Sequence, residues 1–286
     1  MTTNLTKRML AERDFKRLSQ FISSECGIKV PPTKKTMLES RLQKRLRALG
    51  MSDYKDYCEY LFSLKGMDIE MPHLLDAVTT NTTHFFRESK HFDYLYNTVL
   101  PEWFEQNNRY GELVLWSAGC STGEEPYTLA MVLSEFADHN PGFSFTIVAT
   151  DINNEVLEMA HKAVYPEDKI ENIPPLLRRK YLLRSRDRKM KVVRIVPELR
   201  NKVRFRRLNF MGEFGFREPL DIIFCRNVMI YFDRPVQEKL LQKFVHHLSR
   251  GGYIFIGHSE SLSGMDLGLE QVAPTVYRKK DPVPAG

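Results

Sequence analysis

No apolar run in this chain approaches the ~18 residues that a membrane-crossing helix needs, so none is expected. The opening MTTNLTKRML lacks the long apolar segment of a secretory signal. Cysteine is scarce. Cys26, Cys58, Cys120 and Cys225 stand far apart and form no CxxC pair, which argues against a disulfide framework or a zinc site and favours a reduced, cytoplasmic setting. There is no internal repeat, no low-complexity segment and no Ser-His-Asp or Cys-His constellation of the kind used in nucleophilic catalysis. No long exposed apolar face stands out, which points to a monomer.

What remains is 286 residues, enough to bury a real core in one large domain or two smaller ones. The net charge of +6 is unevenly spread. Residues 1–50 carry +8 and residues 178–207 carry +12, leaving −14 for the rest. Two basic patches on an acidic body favour an acidic macromolecular partner over two merely solvated faces.

The first 85 residues or so read as helical. In DFKRLSQFISSECG, Phe15, Leu18, Phe21 and Ile22 share a face that stops at Gly27. In KKTMLESRLQKRLRALG, Met37, Leu38, Leu42, Leu46 and Leu49 share a face, and Lys34, Arg41, Lys44, Arg45 and Arg47 lie opposite. DYKDYCEYLFSL, begun by Asp53, and MPHLLDAVTTN give a third and a fourth helix. From about residue 111 strands alternate with helices. The strands are 112–118, 145–151, 202–209, 220–227 and 252–258, and the helices 125–138, 153–163 and 235–249. This predicts a doubly wound, mostly parallel sheet. EQVAPTVYRKK adds an antiparallel edge strand, Gly251–Gly252 a turn before the fifth strand, and residues 165–200 a small β-rich insertion. The tail DPVPAG is expected to be disordered.

The turn AGCSTGEEP (118–126) joins the first strand to a helix, where open α/β sheets bind ligands. Gly119 and Gly123 allow close backbone approach, yet Glu124 and Glu125 oppose a phosphate. Asp151 ends the second strand, placed either to accept from ribose hydroxyls or to cap the next helix. Turn and acid together fit an adenosine-containing cofactor without phosphate: S-adenosylmethionine, whose ammonium and sulfonium suit a carboxylate. Asn209 follows the third strand, near the adenine edge, and Arg226 and Asn227 follow the fourth, beside the expected reaction point. Asn227 also has a plain reading as a turn residue. At the domain junction, TTNTTHFFRESKHF (79–92) offers Asn81, Thr83 and Arg87, the last able to grip a carboxylate of cofactor or substrate. His84 and His91 lack carboxylate or cysteine partners at ligand spacing, so no metal is expected.

Taken in order, RLRALG, TTNTTHFFRE, WSAGCSTGEEPYTLAM, ATDIN, FCRNVMIYFD and GGYIFIGHSE resemble the CheR family of chemotaxis receptor methyltransferases, over residues 10 to 280 or so. The resemblance implies a class I S-adenosylmethionine methyltransferase. Its fold would be a Rossmann-like doubly wound sheet (89–286) behind an all-helical N-terminal domain (1–88), with a small antiparallel β insertion at about 165–201. It implies methyl transfer to glutamate side chains on the cytoplasmic helices of chemoreceptors, leaving S-adenosylhomocysteine. The family's cofactor contacts carry over to Asn81, Thr83, Arg87, Glu125, Asp151, Asn209, Phe210, Arg226 and Asn227, and Tyr231 matches a tyrosine near the reacting centre. Arg87 and Tyr231 are expected to orient groups rather than carry protons. Lys34, Arg41, Lys44 and Arg45 are expected to dock glutamate-rich receptor helices. In the family the β insertion can bind a short peptide at the receptor's C-terminus. Where some members carry a glycine-rich hairpin loop there, this chain has RSRDRKMK (184–191), which departs from that pattern.

Three rival readings stand beside this one, and in the first, a small-molecule O-methyltransferase, the helical domain with its basic face would lack a purpose. In a nucleic-acid methyltransferase the basic patches would grip phosphate, but such enzymes acting on amines often carry Asn/Asp-Pro-Pro-aromatic where this chain has RNVMIYF. A non-catalytic sensor of the cofactor would be free to lose Arg87 or Tyr231, and both are present.

Overall fold

The 3.6-residue apolar periodicity near the N-terminus builds four helices: α1 (Glu12–Cys26), α2 (Lys35–Ala48), α3 (Tyr54–Leu61) and α4 (Leu64–Val78). This computed structural model describes residues 9–187 and 189–280, so the tail DPVPAG lies outside the described residues. Leu18 and Ile22 of α1, Leu38, Leu42 and Leu46 of α2, Tyr57 of α3 and Leu74 of α4 meet in one buried cluster. The Asp53 carboxylate accepts from the Lys55 N–H (2.8 Å) and Ser63 Oγ from the Gly66 N–H (3.0 Å), capping α3 and α4. α4 begins at Leu64, well before the expected Met71, because Gly66 and Pro72, both poor helix formers, blur the pattern there.

No helix is expected between the helical part and the sheet, yet α5 (Lys90–Tyr94), a π turn (Leu95–Val99) and α6 (Leu100–Gln106) run on as one rod. Pro101 supplies no N–H to the turn behind it, and there the Leu100 N–H reaches back to the Leu95 carbonyl.

Strands and helices then alternate: β1 (Gly111–Ala118), α7 (Glu124–His139), β2 (Phe143–Asp151) and α8 (Asn154–Lys162). The insertion follows as β3 (Val164–Pro166), α9 (Pro175–Tyr181), β4 (Leu182–Arg184), β5 (Val192–Ile195) and α10 (Pro197–Arg200). Its three strands form a separate antiparallel sheet in the order β3-β5-β4. The main sheet resumes with β6 (Val203–Arg207), β7 (Leu220–Cys225), α11 (Arg234–His247), β8 (Leu248–Ile256), β9 (Leu269–Ala273) and β10 (Val276–Lys279). Its order is β6-β2-β1-β7-β8-β10-β9, the first five mutually parallel and β10 antiparallel to both of its neighbours.

Two local expectations are corrected. The C-terminal segment is a hairpin rather than one edge strand, because Pro274 and Thr275 (φ 58°) cannot continue a ladder and make its turn. Gly251 and Gly252 lie within β8 rather than before it, where Gly251 (φ 66°) sits at the level of a register shift against β7.

The inner parallel strands β1, β7 and β8 are buried on both faces toward their carboxyl ends, which is why they read as nearly continuous apolar runs, whereas the edge strand β6 keeps exposed arginines. Leu113, Leu115, Phe145 and Phe224 pack on one side with Leu129 and Leu133 of α7, while Trp116, Ile223 and Ile254 pack on the other with Leu241 and Phe244 of α11. From β1 the chain winds outward through β2 to β6, and from β7 it winds the opposite way to β8. The reversal between β1 and β7 opens a crevice at their carboxyl ends. Among the described residues no helix is long and apolar enough to cross a membrane.

Candidate active site

The turn after β1 is shaped for contact with neighbouring elements. A Cβ on Gly119 (φ 84°) would lie 2.4 Å from Val228 Cγ2, and one on Gly123 (φ 95°) 2.9 Å from Ala160 Cβ. Only glycine fits either position. Asp151 holds the turn from the end of β2, its Oδ2 accepting from the Ser121 N–H at 2.8 Å. Its Oδ1 accepts from the Asn153 N–H at 3.0 Å, and Asn153, not Asp151, caps α8 by accepting from Val156. Burial raises the Asp151 pKa against the pull of its backbone donors.

The two carboxylates of the turn part company. Glu125 accepts from Ser117 Oγ at 2.7 Å and from Arg226 Nε at 2.8 Å. Glu124 accepts from Thr122 Oγ1 at 2.5 Å and does not line the cavity described below, and burial raises its pKa. Arg226, at the end of β7 and only 6% exposed, also donates from Nη1 to the Arg87 carbonyl at 2.7 Å. It thereby fastens the strap 79–89 to the sheet.

That strap is strained. Phe86 (φ 54°) and Glu88 (φ 57°) both sit in the left-handed region, which costs an aromatic residue more than most. The Phe86 N–H donates to Thr128 Oγ1 (3.2 Å), and Glu88 Oε1 accepts from Asn227 Nδ2 and the His258 N–H, each at 3.3 Å. The Asn81 carbonyl accepts from Ser121 Oγ at 2.9 Å, and Arg87 Nη1 donates to the Thr82 carbonyl at 2.9 Å. On the far wall Asn209 Nδ2 donates to the Glu25 carbonyl (2.6 Å), and the Tyr231 carbonyl accepts from the Lys29 N–H (3.0 Å).

These pieces surround one cavity of about 270 Å³. Asn81, Thr83, Arg87, Glu125, Asp151, Asn209, Phe210, Arg226, Asn227 and Tyr231 all line it. Sequence reasoning missed Cys26 and Ile28, which follow or end α1, and Thr79 and Thr80, which follow α4. The last two adjoin the quoted TTNTT run, whereas Cys26 and Ile28 reach the cavity only through the packing of α1 on the sheet.

Two further expectations change. Glu88, three residues before His91, does give that histidine a carboxylate neighbour, and with His258 it forms a cluster of ligand-type atoms within 4.8 Å of one another. The Arg226 guanidinium already stands among them, 3.5 Å from Glu88 Oε2 and 3.2 Å from His91 Nδ1, so a fixed cation fills that role. Burial, then the charge of Arg226, lower the His91 pKa to about 4 and keep the ring neutral. The basic face of α2 is also divided. Arg45 makes two 2.8 Å bonds to the buried Glu70, and Arg41 donates to the Val78 and Thr79 carbonyls and to Thr80 Oγ1. Both are committed within the fold, and only Lys34 and Lys44 of the four expected docking residues are exposed.

The donor set suits a cationic ligand with an adenosine body. Glu125 and Asp151 line the cavity beside Arg87 and Arg226, Asn81, Asn209 and Asn227 add amides, and Ile152, Leu208 and Phe210 add apolar wall. The cavity lies at the reversal point of a Rossmann-like core, and the family match that follows gives the class: an S-adenosylmethionine-dependent methyltransferase. The family model described as "CheR methyltransferase, SAM binding domain" matches residues 81–278, and "CheR methyltransferase, all-alpha domain" matches residues 13–79. The chain belongs to the CheR methyltransferase family. It is 42% identical to the chemotaxis protein methyltransferase of Borreliella burgdorferi over 98% of this chain and 96% of that one. It is 38% identical to the chemotaxis protein methyltransferase of Escherichia coli over 96% and 93%. With chemotaxis protein methyltransferase 2 of Pseudomonas aeruginosa the identity is 37%, over 92% of each.

Proposed function

We propose that this enzyme transfers the methyl group of S-adenosylmethionine to glutamate side chains of chemoreceptors, forming glutamyl methyl esters. The observation that carries the acidic substrate is where the cations lie. Arg41 of α2 bonds Thr80 Oγ1 at 2.8 Å, and Thr80 lines the cavity, so this face of α2 borders the site. Exposed Lys44, one helical turn on, and exposed Lys34, at the head of α2, fall on the same side. A glutamate-rich receptor helix meets positive charge there.

A glutamate carboxylate with a free pKa of ~4.3 is already a nucleophile at neutral pH. When bound, S-adenosylmethionine would supply an electrophilic methyl for the carboxylate oxygen, its sulfur keeping the bonding pair, and the chemistry would require no proton transfer. The chain's residues therefore have to position rather than to shuttle protons, an effect worth ~7–11 kcal/mol in favourable cases. Glu125 and Asp151 supply negative charge toward the cofactor's cationic end and its ribose. Asn81, Thr83, Arg87, Asn209, Phe210, Arg226 and Asn227 complete its seat, and Tyr231 orients the acceptor. On this reading the enzyme works in the cytoplasm as a monomer.

Phosphate binding by the second basic patch has less support. Arg178 donates to the Ile173 and Glu171 carbonyls, Arg194 to Lys162 and Arg207 to Ile152, while Lys180 pairs with Glu135 and Asp138. The test is transfer of a labelled methyl from S-adenosylmethionine to receptor-containing membranes, followed by mild alkali. Release as methanol is expected from a carboxyl ester, and alkali-stable label on protein would refute the glutamate assignment.

A further inference from the structure

The segment GGYIFIGHSE ends in a turn to which the chemistry above gives no task. Its Glu260 is 8% exposed, and its carboxylate gathers four backbone donors. Oε2 accepts from Gly257 (2.6 Å) and Asn227 (3.0 Å), and Oε1 from Val228 (3.0 Å) and Met229 (2.8 Å). Three of these donors are consecutive residues of the turn after β7, more than thirty positions upstream. Successive N–H groups converging in this way form a concavity that binds an anion. Here the anion is the protein's own.

The turn so held is the one that brings Asn227, Val228, Ile230 and Tyr231 to the cavity. It begins in a strained shape, with Asn227 at φ 60°. Gly257 packs against it so closely that a Cβ there would lie 2.8 Å from the Asn227 nitrogen and 2.5 Å from its Nδ2. Gly257 thus clears the space, and Glu260 supplies the anchor. Charge-assisted bonds from backbone N–H to carboxylate are among the stronger hydrogen bonds available.

We infer that Glu260 is a positioning residue for methyl transfer: by fixing the turn 227–231 through its backbone, it sets where Tyr231 stands relative to the acceptor and Asn227 relative to the cofactor. The inference rests on reading Tyr231 as the acceptor-side residue. Glu260 does not line the cavity. The strap 79–89, Glu125 and Asp151, which shape the other wall, make no hydrogen bond to it among those described.

The test uses Glu260→Gln, which keeps the shape but turns an amide NH₂ toward two N–H donors. The expected result is a kcat on receptor membranes lower by about 10- to 100-fold, with the S-adenosylhomocysteine Kd raised only several-fold through Asn227, one of several residues that seat the cofactor, as for a small misplacement of reacting groups. Gly257→Ala pushes on Asn227 from the other side without touching the carboxylate, and the same split is expected of it. Should Glu260→Gln fail to fold, Gly257→Ala decides. Equal losses of affinity and turnover, unchanged kinetics in a folded variant, or failure of both variants to fold would overturn the inference. Tyr231→Phe run alongside separates the two readings: slowed Glu260→Gln with normal Tyr231→Phe keeps Glu260 as a positioning residue and moves its action to Asn227.

Discussion

Replacing Arg226 by Met tests how the site is held together. The change removes the Nε–H bond to Glu125 at 2.8 Å, the Nη1–H bond to the Arg87 carbonyl at 2.7 Å and the closeness to Glu88 at 3.5 Å. The Glu125 and Glu88 side chains, 10% and 12% exposed, are then left as uncompensated charges. The gross attraction of one such contact is about 5 kcal/mol at an effective dielectric of ~20. Desolvation of the pair offsets part of that, and removing one partner of a buried pair costs about 3–5 kcal/mol in practice. At about 2–4 °C per kcal/mol for a protein of this size, melting should fall by about 6–20 °C. The assay is calorimetric melting of wild type, Arg226→Met and Arg226→Met/Glu125→Gln, each with and without S-adenosylhomocysteine. The double variant no longer strands the Glu125 charge and should recover about 1–3 kcal/mol. Affinity for S-adenosylhomocysteine should fall in the single variant, because the strap 79–89 loses its tie to the sheet. Melting within about 2 °C of wild type, or a double variant no more stable than the single, would refute the reasoning.

Three further outcomes are expected. Tyr231→Phe should lower kcat on receptor membranes by roughly tenfold or more while changing cofactor affinity little, and equal losses in both would remove its orienting role. Charge reversal at exposed Lys34 and Lys44 should raise the receptor KM several-fold, more at low salt, and spare cofactor binding, whereas Arg41→Glu should damage both because Arg41 holds Thr79 and Thr80; both are read by steady-state kinetics with titration of S-adenosylhomocysteine. For His91 the folded pKa of about 4 lies below the ordinary 6.5, so the unfolded chain takes the proton first as pH falls. Stability from this group is complete above pH 6.5 and is lost as pH drops toward 4. Urea unfolding at about pH 7.5 and pH 5 should show wild type losing roughly 2 kcal/mol more than His91→Gln, and equal losses would count against the burial argument.

Much of the architecture was legible because local chemistry and global fold agree. The runs around Leu113, Phe145 and Ile223 are apolar on both faces, as parallel strands between helices must be, and Gly119, Gly123 and Asp151 mark strand ends by residue type alone. The α5–π–α6 rod was not legible, since a proline near its middle and a widened turn break the periodicity on which helix reading depends. Arg41 and Arg45 looked free because spacing reports which side of a helix a residue occupies, not whether a neighbour such as Glu70, twenty-five residues on, comes to meet it. Glu260 escaped for the same reason: three of its four donors lie on another strand's turn, and nothing in GHSE announces them.

The walls of the cavity come from both parts of the chain: Cys26, Ile28, Thr79–Thr83 and Arg87 from the helical part and its strap, the remainder from the strand ends and the turns that follow them. A ligand filling that space touches both, so its binding free energy also enters the equilibrium by which the helices seat on the sheet. At a ligand concentration of 100 Kd this amounts to about 2.7 kcal/mol. Cofactor supply and the posture of α2 are therefore linked quantities, and on the proposed reading of α2 as the docking helix, S-adenosylmethionine and its product alike would close the seam beside the receptor.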